Sequence, residues 1–189
     1  MQTDQSSPFK TLTSKKIVET KWLKLFEDEI IHPNGEPGIY TFVDAIPGII
    51  VIAEENGQIY FIKEYKYPIK QWIWNLVTGG INEGDDPLQR AKDELYEETG
   101  LKAYSWKNLG KSFMAPGIAS TYQFVYLAQD LELNENTHRG EGDEAISTIK
   151  KFSIPETKEL IQNGELENGL ALSALMRYFV YLEKESPNK

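Results

Sequence analysis

Short apolar runs separated by polar and turn residues fill much of the first half of the chain, and KKIVET and WLKLFEDEII are two β-like runs among them. His32-Pro33-Asn34-Gly35 is a turn, and IYTFVDAI after it reads as another strand. The run GIIVIAEENGQIYFIKEY carries two apolar stretches about Asn56-Gly57, the strongest short-range signal for a hairpin. WIWNLV is a short apolar strand leading into a Gly79-Gly80 loop. Farther on, SWKNLGKSF, YQFVYLAQDLEL and STIKKFSI read as strands, the last two separated by the polar loop NENTHRGEGDEA.

Three segments change to a helical period. The first is predicted from about Pro87 to Thr99. Asp86 suits the N-cap, Pro87 the first helical position and Gln89 a capping box, while Gly100 suits the left-handed C′ position. A second helix is expected over Pro155 to Gln162, ending at Asn163-Gly164, and a third from Gly169 to about Lys184. In the third, Leu172, Leu175, Met176, Phe179 and Val180 share a face and read as core. Many strands, with one helix between them and two at the end, indicate an α/β protein with a mixed sheet covered by helices. Residues 1–13 read as a flexible leader, 14–45 as an N-terminal β-region and 46–185 as the main domain.

Composition narrows the chemistry. A length of 189 residues with 40% hydrophobic and 12% aromatic content supports a real core. The net charge of −9 argues against nucleic acid or an anionic membrane surface as partner. With no cysteine, disulfides, thiolate metal sites and thiol nucleophiles are excluded. His32 and His138 are too few for a histidine-based metal site, so any metal would take oxygen ligands, which favours Mg²⁺ or Mn²⁺. MQTDQSSPFK lacks an apolar signal region and no run reaches membrane-spanning length, so cytoplasmic residence is the expectation.

The first helix carries the chemistry. Each residue advances a helix by about 100°, so Glu94, Glu97 and Glu98 fall within one arc, and Leu88, Ala91 and Leu95 form an apolar stripe. Like charges one turn apart repel. A solvated amphipathic helix would explain three glutamates alone. A Gly-rich loop feeding a capped acidic helix points instead to a divalent metal.

Residues 79–101, GGINEGDDPLQRAKDELYEETGL, resemble the Nudix box, G-x5-E-x7-R-E-U-x-E-E-x-G-U with U aliphatic. Gly79, Glu94, Leu95, Glu97, Glu98, Gly100 and Leu101 match in register; Asp85 replaces a Glu and Asp93 replaces the Arg. The resemblance implies the Nudix fold, an α/β/α sandwich, here preceded by an antiparallel β-region. The run KEYKYPIKQWIWNLVTGG is similar to the one before the box in ADP-ribose pyrophosphatases and related nucleoside-diphosphate-sugar hydrolases, which reads QYRYP and then W-E-L-P-A-G. Lys66 stands for its Arg, Asn75 for its Glu, Val77 for its Pro and Thr78 for its Ala. Ala115-Pro116-Gly117 is similar to that branch's Ser-Pro-Gly turn, and Glu141, Asp143 and Glu144 fall where it supplies an extra Glu. Taken without the resemblance, Pro116-Gly117 is a turn, Lys66 a surface charge and the acidic loop a solvated tip.

The resemblance implies hydrolysis of the diphosphate linkage of ADP-ribose or a related nucleoside diphosphate sugar. Glu94, Glu97 and Glu98, with a backbone carbonyl near Thr78 or Gly79, would hold Mg²⁺ or Mn²⁺, and Glu141 or Glu144 would act on the water. Lys66, Trp22, Pro116 and Gly117 would touch substrate, with Gly79, Gly80 and Gly100 as the box glycines. Arg90, one helical turn before Glu94, could supply the guanidinium lost at Asp93. The alternative is a catalytically impaired Nudix domain serving as a nucleotide-binding or regulatory module. The resemblance of the N-terminal β-region, with Trp22, Leu23 and Leu25 as apolar surface, implies a homodimer.

Overall fold

The computed structural model describes residues 7–134 and 145–185. They form two compact units: residues 7–46 with 115–121, and residues 47–114 with 122–134 and 145–185.

The first unit is a three-stranded antiparallel sheet in the order β1 (Lys10–Glu19), β2 (Leu23–Ile31), β3 (Pro37–Ala45). Its first strand starts at Lys10, inside the segment expected to be leader. Thr11 lies opposite Ile30 and Thr13 opposite Glu29, so pairing with β2 extends β1 across residues too polar to show as a strand. β1 lies at the sheet edge and is exposed throughout, so its sequence carries no inward apolar face. The segment 115–121 joins β3: Val43 N donates to Ile118 O at 2.8 Å and Ser120 N to Val43 O at 2.9 Å.

The second unit is built on a seven-stranded mixed sheet. Its strands are β4 (Gly48–Glu55), β5 (Gln58–Lys66), β6 (Gln71–Asn75), β7 (Val77–Gly80), β8 (Leu101–Phe113), β9 (Tyr122–Leu133) and β10 (Ile146–Ser153). The main path is β10-β5-β4-β9-β8, with β6 paired to β5 and β7 to β4. Only β4 and β9 run parallel among these pairs. The hairpin between β4 and β5 has φ of 53° at Asn56 and 74° at Gly57, the positive pair that a two-residue type I′ turn requires.

Helices cover both faces. β4 is apolar nearly throughout because it is buried on both sides. Ile49, Val51 and Ala53 point to a core shared with Ala91 and Leu95 of α1 (Pro87–Thr99). Ile50 and Ile52 point to the other, shared with Leu160 of α2 (Ile154–Gln162) and with Ala171, Ala174, Leu175 and Tyr178 of α3 (Gly169–Glu185). This is the expected α/β/α sandwich. α2 starts on a complete capping box between Ser153 and Glu156.

α3 seats on a face that only partly coincides with the one expected: Leu175 is buried and Leu172 and Phe179 pack against the core. Met176 is 63% exposed and Val180 is also exposed. The buried stripe is Ala171, Ala174, Leu175 and Tyr178. Two alanines bring the helix close to the sheet and one large ring fills the space beside them, a division of labour that bulk alone does not reveal. Arg177 latches the helix to β8, donating to Leu109 O at 3.1 Å, Lys111 O at 2.6 Å and Ser112 Oγ at 3.1 Å. Among the described residues no helix is long and apolar enough to cross a membrane.

Candidate metal and diphosphate site

α1 occupies the predicted residues, with the predicted ends. Asp86 is extended and its carboxylate accepts from Gln89 N at 2.7 Å. Gly100 has φ 73° and its N–H reaches Tyr96 O at 2.8 Å. The expected capping box does not form: the Gln89 side chain runs down the helix and donates to Asp93 Oδ1 at 2.8 Å. Upstream, Asp85 closes the entry loop by accepting from Asn82 N at 2.9 Å and Asn82 Nδ2 at 3.1 Å.

The acidic face is not a solvated one. Glu94 is 7% and Glu98 5% exposed, while the Glu97 side chain is 58% exposed. Burying a carboxylate is costly unless something compensates it. For Glu94 the compensation is Arg90, whose Nη2 pairs with Oε1. Arg90 Nη1 also lies 3.7 Å from Glu97 Oε2. A guanidinium thus approaches both glutamates, from one turn before Glu94 and two before Glu97, while Asp93, at the position of the inverted charge, is engaged with Gln89.

Gly79 and Gly80 belong to β7, where the expectation was a loop. Gly79 pairs with Ile49 and Gly80 with Gly48. Neither has positive φ, so their value is space. A methyl group built on Gly79 would lie 2.0 Å from Glu94 Oε1 and 2.4 Å from Glu94 Cγ. The Glu94 carboxylate rests directly on the glycine backbone, beside Thr78, which pairs with Ile50.

Among the described residues no three His, Asp or Glu side chains converge as a ready-made metal cage. The face offers two buried carboxylates one turn apart and a backbone strand alongside. Oxygen donors of this kind suit Mg²⁺ or Mn²⁺, which take one or two carboxylates and complete their shell with waters and substrate phosphate.

A further buried carboxylate lies on the same sheet face and went unnoticed in the sequence. Glu64 is 3% exposed. Its Oε1 accepts from Asn75 Nδ2 at 2.5 Å, and its Oε2 lies 2.8 Å from Lys66 Nζ. Ile62 belongs to the α1-side core and pairs with Asn75, so alternation puts Glu64 and Asn75 on that side too. The available signal was an acidic residue two places after an inward isoleucine.

Trp22, Pro116 and Gly117 belong to the first unit. Trp22 is exposed in the turn before β2, with Lys21 Nζ 4.2 Å from its ring centre. Pro116 and Gly117 lie in the first unit and line a groove there with Phe9, Tyr40 and Phe42. Tyr40 Oη donates to Gly117 O at 2.9 Å. Trp74 packs edge-on to Phe152 at 5.1 Å, as core, while Trp72 is exposed. Glu141, Asp143 and Glu144 lie outside the described residues.

Comparison with known proteins places the chain in a family. Residues 45–169 match the NUDIX domain, and residues 9–43 match the nucleoside diphosphate sugar hydrolase N-terminal domain. The chain belongs to the NUDIX family. It is 25% identical to the ADP-ribose pyrophosphatase of Bacillus subtilis (strain 168) over 83% of this chain and 85% of that one. It is 28% identical to the ADP-ribose pyrophosphatase of Mycobacterium tuberculosis (strain ATCC 25618 / H37Rv), over 89% and 82%. A methanol dehydrogenase activator from Bacillus methanolicus is 29% identical over 88% and 90%. In fold the chain is similar to an ADP compounds hydrolase of known crystal structure, with a TM-score of 0.83, 18% identity and coverage of 97% and 98%.

Proposed function

We propose that this Nudix protein is a divalent-metal-dependent hydrolase of the diphosphate linkage in ADP-ribose or a related nucleoside diphosphate sugar. The observation that carries the reading is the pair Glu94 and Glu98, buried one turn apart with Glu94 resting on Gly79 and held by Arg90. Two carboxylates buried so near one another are poorly explained as stabilising features. The two ADP-ribose pyrophosphatases among its relatives, and the N-terminal domain match, favour a nucleoside diphosphate linked to a sugar.

In this scheme Glu94 and Glu98 hold Mg²⁺ or Mn²⁺, with Glu97 and the carbonyl of Thr78 or Gly79 as further oxygen ligands. The ion supplies charge neutralisation at the diphosphate and a lower pKa for the attacking water. Arg90 keeps the Glu94 carboxylate in place. Lys66 presents an ammonium to the phosphates, and Trp22, Pro116 and Gly117 are substrate contacts. Glu141 or Glu144 takes the proton of the water. Its oxygen bonds to one phosphorus as the bond from that phosphorus to the bridging oxygen breaks, leaving a nucleoside monophosphate and a sugar phosphate.

A second reading, a Nudix domain that binds a nucleotide without cleaving it, is favoured only by Asp93. Product chromatography over a panel of ADP-ribose, other nucleoside diphosphate sugars and nucleoside triphosphates, with Mg²⁺ and with Mn²⁺, separates the two. Cleavage of the diphosphate sugars supports the hydrolase. Release of pyrophosphate from triphosphates alone overturns the substrate class, and binding without turnover supports the second reading.

The protein also acts, in this proposal, as a homodimer through its first unit, where Leu12, Ile17, Val18, Trp22 and Ile39 leave apolar surface exposed. Light scattering should report twice the 21.6 kDa chain mass, and a monomer at micromolar concentration would remove this part of the proposal.

A further inference from the structure

We infer that Glu64 is a positioning residue that aims the Lys66 ammonium, through a carboxylate–amide exchange with Asn75 across β5 and β6. The inference rests on the hydrolase reading for its substrate, but its geometry stands independently.

Three observations converge. Glu64 is buried, yet it is held by a lysine at 2.8 Å on its own strand and an amide at 2.5 Å on the neighbouring one. The Lys66 side chain is 37% exposed. One of its three N–H donors engages Glu64, and the others can face a ligand. Because a carboxylate can only accept, the Asn75 amide must turn its NH₂ toward Glu64. That leaves Asn75 Oδ1 buried, with no hydrogen-bond donor among the described residues. An orphaned buried acceptor is costly, so the arrangement is a poor device for stability. It is a good one for fixing a cation, since the charge, the distance and the partner's orientation are all set from inside the sheet.

The sequence pattern says the same. The related run QYRYP followed by W-E-L-P-A-G has an amide at position 64, a guanidinium at 66 and a carboxylate at 75. Here position 64 holds the carboxylate, 66 an ammonium and 75 the amide. One anion, one cation and one amide are kept, with anion and amide exchanged between paired strands. An ammonium is a point charge with no planar fork. A carboxylate two residues away on the same strand face meets that point charge directly, Oε2 to Nζ at 2.8 Å.

The test is a double-mutant cycle on the intact protein. With a diphosphate substrate from the panel above, Glu64→Gln should raise KM about fivefold or more while kcat changes less than about twofold, the pattern of lost binding. In a Lys66→Met background the same Glu64→Gln change should have no further effect on KM, because the residue it aims is gone. Glu64→Gln combined with Asn75→Glu should bring KM back to within about twofold of the parent. Thermal melts check that each variant folds. A purely structural Glu64 would give equal losses in both Lys66 backgrounds and no rescue, and either result overturns the inference. If no diphosphate sugar is cleaved, the hydrolase reading fails. The positioning inference is then read by calorimetry with inorganic pyrophosphate and Mg²⁺, where the same cycle should appear in Kd and its absence would refute it.

Discussion

Substituting Gly79 by alanine tests the packing of the acidic helix on its strand. The new methyl would lie 2.0, 2.3 and 2.4 Å from Oε1, Cδ and Cγ of Glu94. Carbon atoms rest at about 3.5 Å, so the whole carboxyl group, and not just its tip, has to retreat by about 1 Å or more. Glu94 has little room, since its side chain is 9% exposed and paired with Arg90. The backbone itself has no objection to alanine, because φ at Gly79 is not positive; relief from glycine's flexibility even returns about 0.5–1 kcal/mol. Against an overpacking cost of about 1–3 kcal/mol, the net loss of stability is modest. The loss of function is large: a misplacement of about 1 Å costs on the order of 10²-fold in rate. Turnover of a diphosphate sugar and Mn²⁺ affinity by calorimetry should therefore both collapse in Gly79→Ala, while the thermal midpoint moves by only a few degrees. A Gly79→Ala protein with rate and Mn²⁺ affinity within about twofold of the parent would show that the Glu94 position does not matter to the site.

Arg90→Met should lower kcat/KM about tenfold or more, since about 1.4 kcal/mol of transition-state stabilisation is tenfold in rate. Asp93→Arg should add little on its own but recover much of the loss in Arg90→Met; absence of rescue would mean that Arg90 is not standing in for the box arginine. Arg177→Ala removes three hydrogen bonds between α3 and β8. It should cost about 1–2 kcal/mol, read as a lower midpoint with unchanged specific activity; a changed KM would contradict a structural latch. In the α2 cap, hydrogen bonds from the Ser153 hydroxyl and backbone hold the Glu156 carboxyl below the usual carboxylate range. A pKa lower in the folded state gives stability that is present above the unfolded pKa and lost as pH falls through the folded one. Amide exchange in α2 should accelerate below about pH 4, and in Glu156→Gln this acid-dependent step should vanish.

The strongest local signals in the sequence were read correctly. Asp86, Pro87 and Gly100 bound α1 because capping is decided by residues within one turn. Asn56-Gly57 placed the hairpin because only a few residue types accept two positive φ angles. What escaped depends on partners distant in sequence. β1 is polar at the edge of its sheet, and only its pairing with β2 reveals Lys10, Thr11 and Thr13 as strand. Gly79 looked like a turn residue, and its real constraint is a carboxylate fifteen positions away that fills the space of its missing methyl. The burial of Glu64 needed β6 to arrive beside it. The inward face of α3 was partly misjudged because Ala171 and Ala174 matter for being small. Within the candidate site, the box pattern pointed to Glu94, Glu97 and Glu98. The inequality among the three glutamates, two buried and one exposed, was not legible, because spacing on a helix says nothing about which strand covers it.

Glu98→Gln tests the central claim most directly, because it keeps the size of a buried side chain and removes only its charge. Calorimetric titration with Mn²⁺ and chromatographic assay of ADP-ribose cleavage, on parent and variant side by side, should show metal binding greatly weakened and AMP formation abolished, with the thermal midpoint retained. Full metal affinity and full turnover in the variant would contradict the assignment of this helix face as the metal and diphosphate site.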